Sequence, residues 1–245
     1  MELNDLWLFG GVLITYLLMI LKWNKQFTYP KSVRELINEK RHYVVGDEKL
    51  PSVTTILSAT QSQEKQDSLA KWKAKVGEKE AERVKNVAGA RGTKMHSILE
   101  GYILGENVLD LTETGGEAHR MAQAIIDQGM PDMDEIWGSE VVLAYPGLYA
   151  GATDLCGVYM GRESILDFKQ SNKPKKAEWI EDYKLQGAAY ATAHDYMFGT
   201  SIEQIVILMC TPDCFFQRFI INGKEFREYK WKWLERVNRY YEQKS

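Results

Sequence analysis

Gly151–Ser171, GATDLCGVYMGRESILDFKQS, is the stretch whose reading decides the fold. It divides into two short strands about a polar turn at Gly161-Arg162-Glu163. Both strands carry acids that packing would not put there. Asp154 interrupts the first, between Ala152-Thr153 and Leu155-Cys156, and Asp167 and Lys169 end the second, after Ile165-Leu166. Side chains on a strand alternate faces, so Asp167 and Lys169 point one way and Phe168 points into the opposite layer. Two carboxylates and an amine at strand ends suit a hard cation beside a positioned ammonium. Gly151 and Gly157 keep one face small, as close backbone or ligand approach requires.

Upstream, Gly89 and Gly92 break a charged helical pattern over Gln61–Val87, and Thr93 can cap a new helix reaching about Tyr102. On that helix His96 and Glu100 are four apart and share a face, with Met95, Ile98 and Leu99 as its apolar positions. Downstream, Ala177–Phe198 reads as a helix on which Gln186 and Tyr190 present an amide and a phenol along one side. Trp137–Tyr145 reads as a strand with Glu140 at its start, placed either at the site or on the surface. Ile205–Cys210 and Phe215–Ile221 form a closing strand pair around Pro212-Asp213. The order of helix, strands, D-x-K and packing helix implies an α/β sandwich with a mixed central sheet flanked by helices.

Four elements in this order resemble the PD-(D/E)XK nuclease superfamily. They are Gly92…His96…Leu99-Glu100, like the G-x-x-x-H-x-x-L-E of RecB-type enzymes, then Asp154, Asp167-Phe168-Lys169, and Gln186…Tyr190, like their Q-x-x-x-Y. Pro51-Ser52-Val53-Thr54-Thr55-Ile56-Leu57 is similar to the segment before the nuclease core in the mitochondrial genome maintenance exonucleases and their phage relatives. The resemblance implies a restriction-endonuclease-like core and metal-dependent phosphodiester hydrolysis. It implies Mg²⁺ or Mn²⁺, one or two ions, held by His96, Asp154, Asp167 and the Phe168 carbonyl, with Lys169 acting beside them. Glu100, Gln186 and Tyr190 complete the expected site, Glu100 touching the metal group or orienting Lys169 or His96. A DNA exonuclease acting on single strands, phage or bacterial and serving DNA repair or recombination, is the expectation. A structure-specific endonuclease of the same superfamily is the near alternative, and a membrane-tethered nucleic-acid-binding protein without catalysis is the alternative from another class. Some superfamily members carry an iron–sulfur cluster on four cysteines. With only Cys156, Cys210 and Cys214, no cluster is expected here, and a reducing compartment is implied.

The 245 residues carry a formal net charge of −3, which argues against coating nucleic acid through bulk charge. Charge is instead local: eight Lys or Arg stand against three Glu between Lys71 and Lys94, and four Lys with no acid between Lys169 and Lys176. Such stretches suit a phosphodiester substrate or a solvated helix face. Lys173, Lys175 and Lys176, with the hydroxyls of Ser52, Thr54 and Thr55, are the candidate DNA contacts; the hydroxyls serve equally as helix caps. No GxxxxGK[ST] phosphate loop occurs, so no motor is expected. Trp72, Trp231, Trp233, Tyr240 and Tyr241 read as core.

Residues 1–23 form a hydrophobic N-terminal segment ahead of one nuclease domain over 24–245. Leu6–Leu21, LWLFGGVLITYLLMIL, has no charge and is slightly short for a spanning helix. It is a membrane anchor, a buried helix, or a segment removed by a true start at Met19. As an anchor it would leave the nuclease domain on the cytoplasmic side, since Lys22 and Lys25 follow it. No small-x-small cleavage site follows, so a secretory leader is not expected.

Overall fold

The strands expected around Asp154 and Asp167 lie at the middle of a five-stranded sheet. The computed structural model describes residues 21–106, 108, 110 and 112–243. The hydrophobic stretch Leu6–Leu21 lies outside these, apart from Leu21. Among the described residues no helix is long and apolar enough to cross a membrane.

A three-stranded antiparallel meander comes first, with β1 (Ser32–Ile37), β2 (Lys40–Val45) and β3 (Glu48–Pro51). Three helices follow: α1 (Val53–Ala59), α2 (Gln63–Val76) and α3 (Glu78–Leu104). Then come α4 (Glu113–Gly129), the long strands β4 (Met133–Tyr145) and β5 (Tyr149–Tyr159), and β6 (Arg162–Gln170). The chain closes with α5 (Glu181–Phe198), β7 (Gln204–Cys210), β8 (Phe216–Asn222) and α6 (Gly223–Glu242). The large sheet has the order β4-β5-β6-β7-β8, and only the β6–β7 pair is parallel. A parallel pair needs a crossover, and α5 supplies it.

Alternation along β6 sorts its side chains between two cores. Ile165 joins α5 and α6 residues such as Ala189 and Trp233 on one face of the sheet. Leu166 and Phe168 join α3 and α4 residues such as Leu99, Met121 and Ile125 on the other. The mixed sheet with helices on both faces is therefore present, built from the expected strands with ends moved by a few residues.

Several expectations are corrected. Gly89 and Gly92 do not end a helix; α3 runs unbroken through both. Each interior glycine costs about 1 kcal/mol against alanine, but between them Arg91 is buried and ties the helix to β6. Its guanidinium donates to Gln170 Oε1 at 3.1 and 2.7 Å, to Glu117 Oε2 at 3.2 Å and to the Asn172 amide oxygen. Thr93, mid-helix, sends its hydroxyl back to the Gly89 carbonyl instead of capping. Trp72 is 37% and Trp231 70% exposed, so neither is core, and α2 buries no residue at all. Trp233 and Tyr240 are buried as expected. α4 starts at Glu113 because the Thr112 hydroxyl accepts from the Gly115 amide and caps the helix there.

Candidate active site

The β5–β6 ladder ends at Leu155 opposite Leu166, and the acids begin one step beyond. Freed from a ladder partner on this side, the Phe168 amide donates to Asp154 Oδ2 at 2.7 Å. Lys169 Nζ donates to Asp167 Oδ1 at 2.6 Å and sits 5.2 Å over the Tyr183 ring on α5. The second carboxylate oxygen, Asp167 Oδ2, is buried and has no hydrogen-bond partner among the described residues. The Phe168 ring turns into the opposite core, 6.3 Å from the His96 ring.

His96 and Glu100 reach the sheet from α3. His96 Nδ1 lies 3.4 Å from Asp154 Oδ1. Glu100, one turn on, lines the same cavity. A fourth acid comes from β4. Glu140 falls between the pairs Ser139–Leu155 and Val141–Thr153, opposite Asp154, with its backbone at φ 51°. That conformation is uncommon for a residue with a side chain. Ligand-capable atoms of His96, Glu140 and Asp154 lie within 4.8 Å of one another.

Electrostatics separate the roles of these groups. Burial opposes the charge on Asp154, yet His96, Lys169 and the Phe168 amide outweigh it and hold the carboxyl below its usual range. Asp167 goes the other way: burial and the nearby Asp154 carboxylate push it up to about 6 despite Lys169. Glu140 reaches solvent, but partial desolvation first and Asp154 second push it up to about 7. Burial pulls His96 and Lys169 down, and the carboxylates more than compensate, so both sit above their ordinary values. Four acids crowded around one ammonium and an imidazole form a site that gains from one more positive charge.

These groups open on a cavity of about 450 Å³ whose lining includes His96, Glu100, Glu140, Asp154, Lys169, Gln186 and Tyr190. Gln186 Nε2 donates to the Tyr190 hydroxyl at 3.2 Å, so the expected amide–phenol pair stands at the site. Gly151 makes room for it: a Cβ there would lie 2.8 Å from Tyr190 Cε1.

The candidate DNA contacts divide. Ser52 accepts from the Thr55 amide at 3.0 Å and caps α1, while the Thr55 hydroxyl is spent on the Arg41 carbonyl at 2.9 Å. Ser52 and Thr54 line the cavity. Lys173, Lys175 and Lys176 do not; they follow β6 on a loop that Gln217 pins through the Lys175 backbone at 2.7 and 2.8 Å. The cavity also contains Arg34 and Arg41, which sequence reading passed over. An alternating V-R-E-L and K-R-H-Y pattern on either side of Asn38-Glu39 was the available signal for a hairpin carrying both.

Comparison with known proteins gives relatives that share a name. Mitochondrial genome maintenance exonuclease 1 of mouse is 29% identical over 208 residues, and that of human 24% over 205. Each alignment takes in 80% of this chain, and the chain spans about three fifths of the length of these relatives. No family model matches the chain. Among solved structures, a Eubacterium rectale protein provisionally assigned as an exonuclease aligns with a TM-score of 0.44 at 16% identity, over 62% of this chain and 63% of its own.

Proposed function

We propose that this chain is a divalent-metal-dependent deoxyribonuclease of the PD-(D/E)XK type, working as an exonuclease on single-stranded DNA. The observation that carries the reading is the cluster of His96, Glu140 and Asp154, whose ligand-capable atoms lie within 4.8 Å of one another, with the Lys169 ammonium in the same cavity and a buried Asp167 oxygen left without a partner two residues before it. A buried carboxylate oxygen without a partner is costly, and a cation removes that cost. The donor set is three carboxylates and one imidazole, with no thiolate, which fits Mg²⁺ or Mn²⁺. Asp154, Asp167, His96 and the Phe168 carbonyl would hold the ion, and Glu140 is added to the expected set. When bound, the ion supplies Lewis-acid activation of phosphate and a more acidic water.

The protein's own groups do the positioning. Asp154 is fixed from two sides, by the Phe168 amide and by His96. Lys169, held as an ammonium by Asp167, faces the place where charge develops at phosphorus and stabilises it there. Gln186 and Tyr190 fix the far wall and order the substrate. The similarity to exonucleases of mouse and human supports the choice of exonuclease over endonuclease.

The test uses 5′-labelled, 3′-labelled and circular single-stranded DNA with Mg²⁺, Mn²⁺ or EDTA. Linear DNA should be degraded only with metal, and circles should survive. Lys169→Ala should lower turnover roughly a hundred- to a thousandfold while metal binding persists. Asp154→Asn and Asp167→Asn should weaken both. Full activity in either Asn variant, or undiminished cleavage in EDTA, would refute the reading.

A further inference from the structure

The meander β1–β3 packs against β4 and β5 and also lines the acidic cavity. Its β1–β2 register sets Arg34 beside Tyr43 and Leu36 beside Arg41, so these four share one face. The inner part of that face is spent on packing, where Tyr43 and Leu50 meet Ala144 and Ala150. The outer part is not. Arg34 and Arg41 are exposed and line the acidic cavity, and Leu36 is 76% exposed next to them. Lys49 on β3, by contrast, is paired with Glu35 at 3.0 Å. Among the described residues no carboxylate lies within ion-pair reach of Arg34 or Arg41; the charge that acts on Arg34 from a distance is Glu140.

A second cavity, of about 520 Å³, runs along the outside of the hairpin, and it shares Arg41 and Thr54 with the first. Lys40, Leu36 and Ser58 line it, with Glu39 as its one acid. The two cavities thus have an arginine and a threonine in common. A chain of phosphates leaving the acidic centre therefore has a cationic path with an apolar side chain along it, which is what a single strand with unstacked bases requires.

We propose that this groove along the β1–β2 hairpin seats the strand next to the bond that is cut, with Arg34 and Arg41 holding its phosphates. The proposal rests on the nuclease reading above and names a substrate-binding surface for it. Arg34 holds a phosphate at the rim of the acidic cavity, and Arg41 holds one where the two cavities join. Leu36 lies against the sugar or base between them.

The experiment measures binding of a fluorescent twenty-nucleotide oligothymidylate by anisotropy, in EDTA so that no cleavage intervenes, across a salt series. Arg34→Ala and Arg41→Ala should each weaken binding about tenfold. Each should flatten the slope of log affinity against log salt by about 0.7, and the double variant by about 1.4. Arg227→Ala, an exposed cation lining a different cavity, controls for bulk charge and should change little. Melting temperatures should stay at the wild-type value, since neither arginine packs in the core. If the double variant keeps wild-type affinity and slope while the wild-type protein still cuts with metal, the groove is wrong and the nuclease stands. If Arg227→Ala weakens binding as much, the effect is bulk charge and the groove is likewise overturned. A wild-type protein that neither binds nor cuts overturns both.

Discussion

His194 shows how far one residue's surroundings can set its chemistry. It is fully buried on α5, where Nδ1 meets the Thr200 hydroxyl at 2.7 Å and the ring stacks on Trp137 at 5.7 Å. Burial holds its pKa down to about 4, against 6.5 in the unfolded chain. The unfolded chain therefore takes up a proton first as the pH falls. The neutral ring's contribution is complete above pH 6.5 and is lost on the way down to about 4. It amounts to about 3 kcal/mol. Asp167 and Glu140, raised by the same cause, lean the other way: their contribution is lost as the pH rises through about 6 and 7. Melting His194→Gln beside the wild type at pH 7.5 and 5.0 isolates the histidine. The wild type should lose more stability over that interval than the variant; parallel losses would show that His194 does not titrate with folding.

At the scale of elements, two glycines of β5 have different jobs. A Cβ on Gly157 would lie 1.9 Å from the Glu135 carbonyl oxygen, a backbone atom at the irregular start of β4. A Cβ on Gly151 would meet only the Tyr190 ring. A backbone neighbour cannot turn aside and a ring can. Gly157→Ala should thus cost about 3 kcal/mol in urea unfolding. Gly151→Ala should cost less but should lower turnover by displacing Tyr190 from the cavity wall. Equal stability losses would contradict this division. Both glycines were legible as points of close approach. The unbroken α3 was not, because glycine spacing signals a break, whereas the bonds from Arg91 to Gln170 and Asn172 come from residues about eighty positions away. Trp72 and Trp231 likewise read as core, but they remain 37% and 70% exposed.

Across the whole molecule, α3, β4 and β5 bring His96, Glu140 and Asp154 within 4.8 Å of one another, with the Asp167–Lys169 pair of β6 close enough to act on them, and a bound cation should stabilise the assembly. At a hundred times its Kd, Mg²⁺ or Mn²⁺ should add about 2.7 kcal/mol to wild-type stability. Lys169→Ala should keep most of this and Asp154→Asn should lose it; a melting temperature indifferent to metal would argue against any ion at this site. The sequence by itself determined the strand pair around Asp154 and Asp167, the helix faces carrying His96 with Glu100 and Gln186 with Tyr190, and the mixed sheet with helices on both sides. These follow from periods of two and 3.6 residues, which are local properties of the chain. Tertiary structure alone decided which polar residues meet. Glu140 enters because β4 pairs with β5 in a register that sets it opposite Asp154. Arg34 and Arg41 enter because the meander packs over the same cavity, while the Lys173–Lys176 loop is held elsewhere by Gln217. Period tells which way a side chain points, but its partners depend on sheet order and packing between distant segments, which no local pattern encodes.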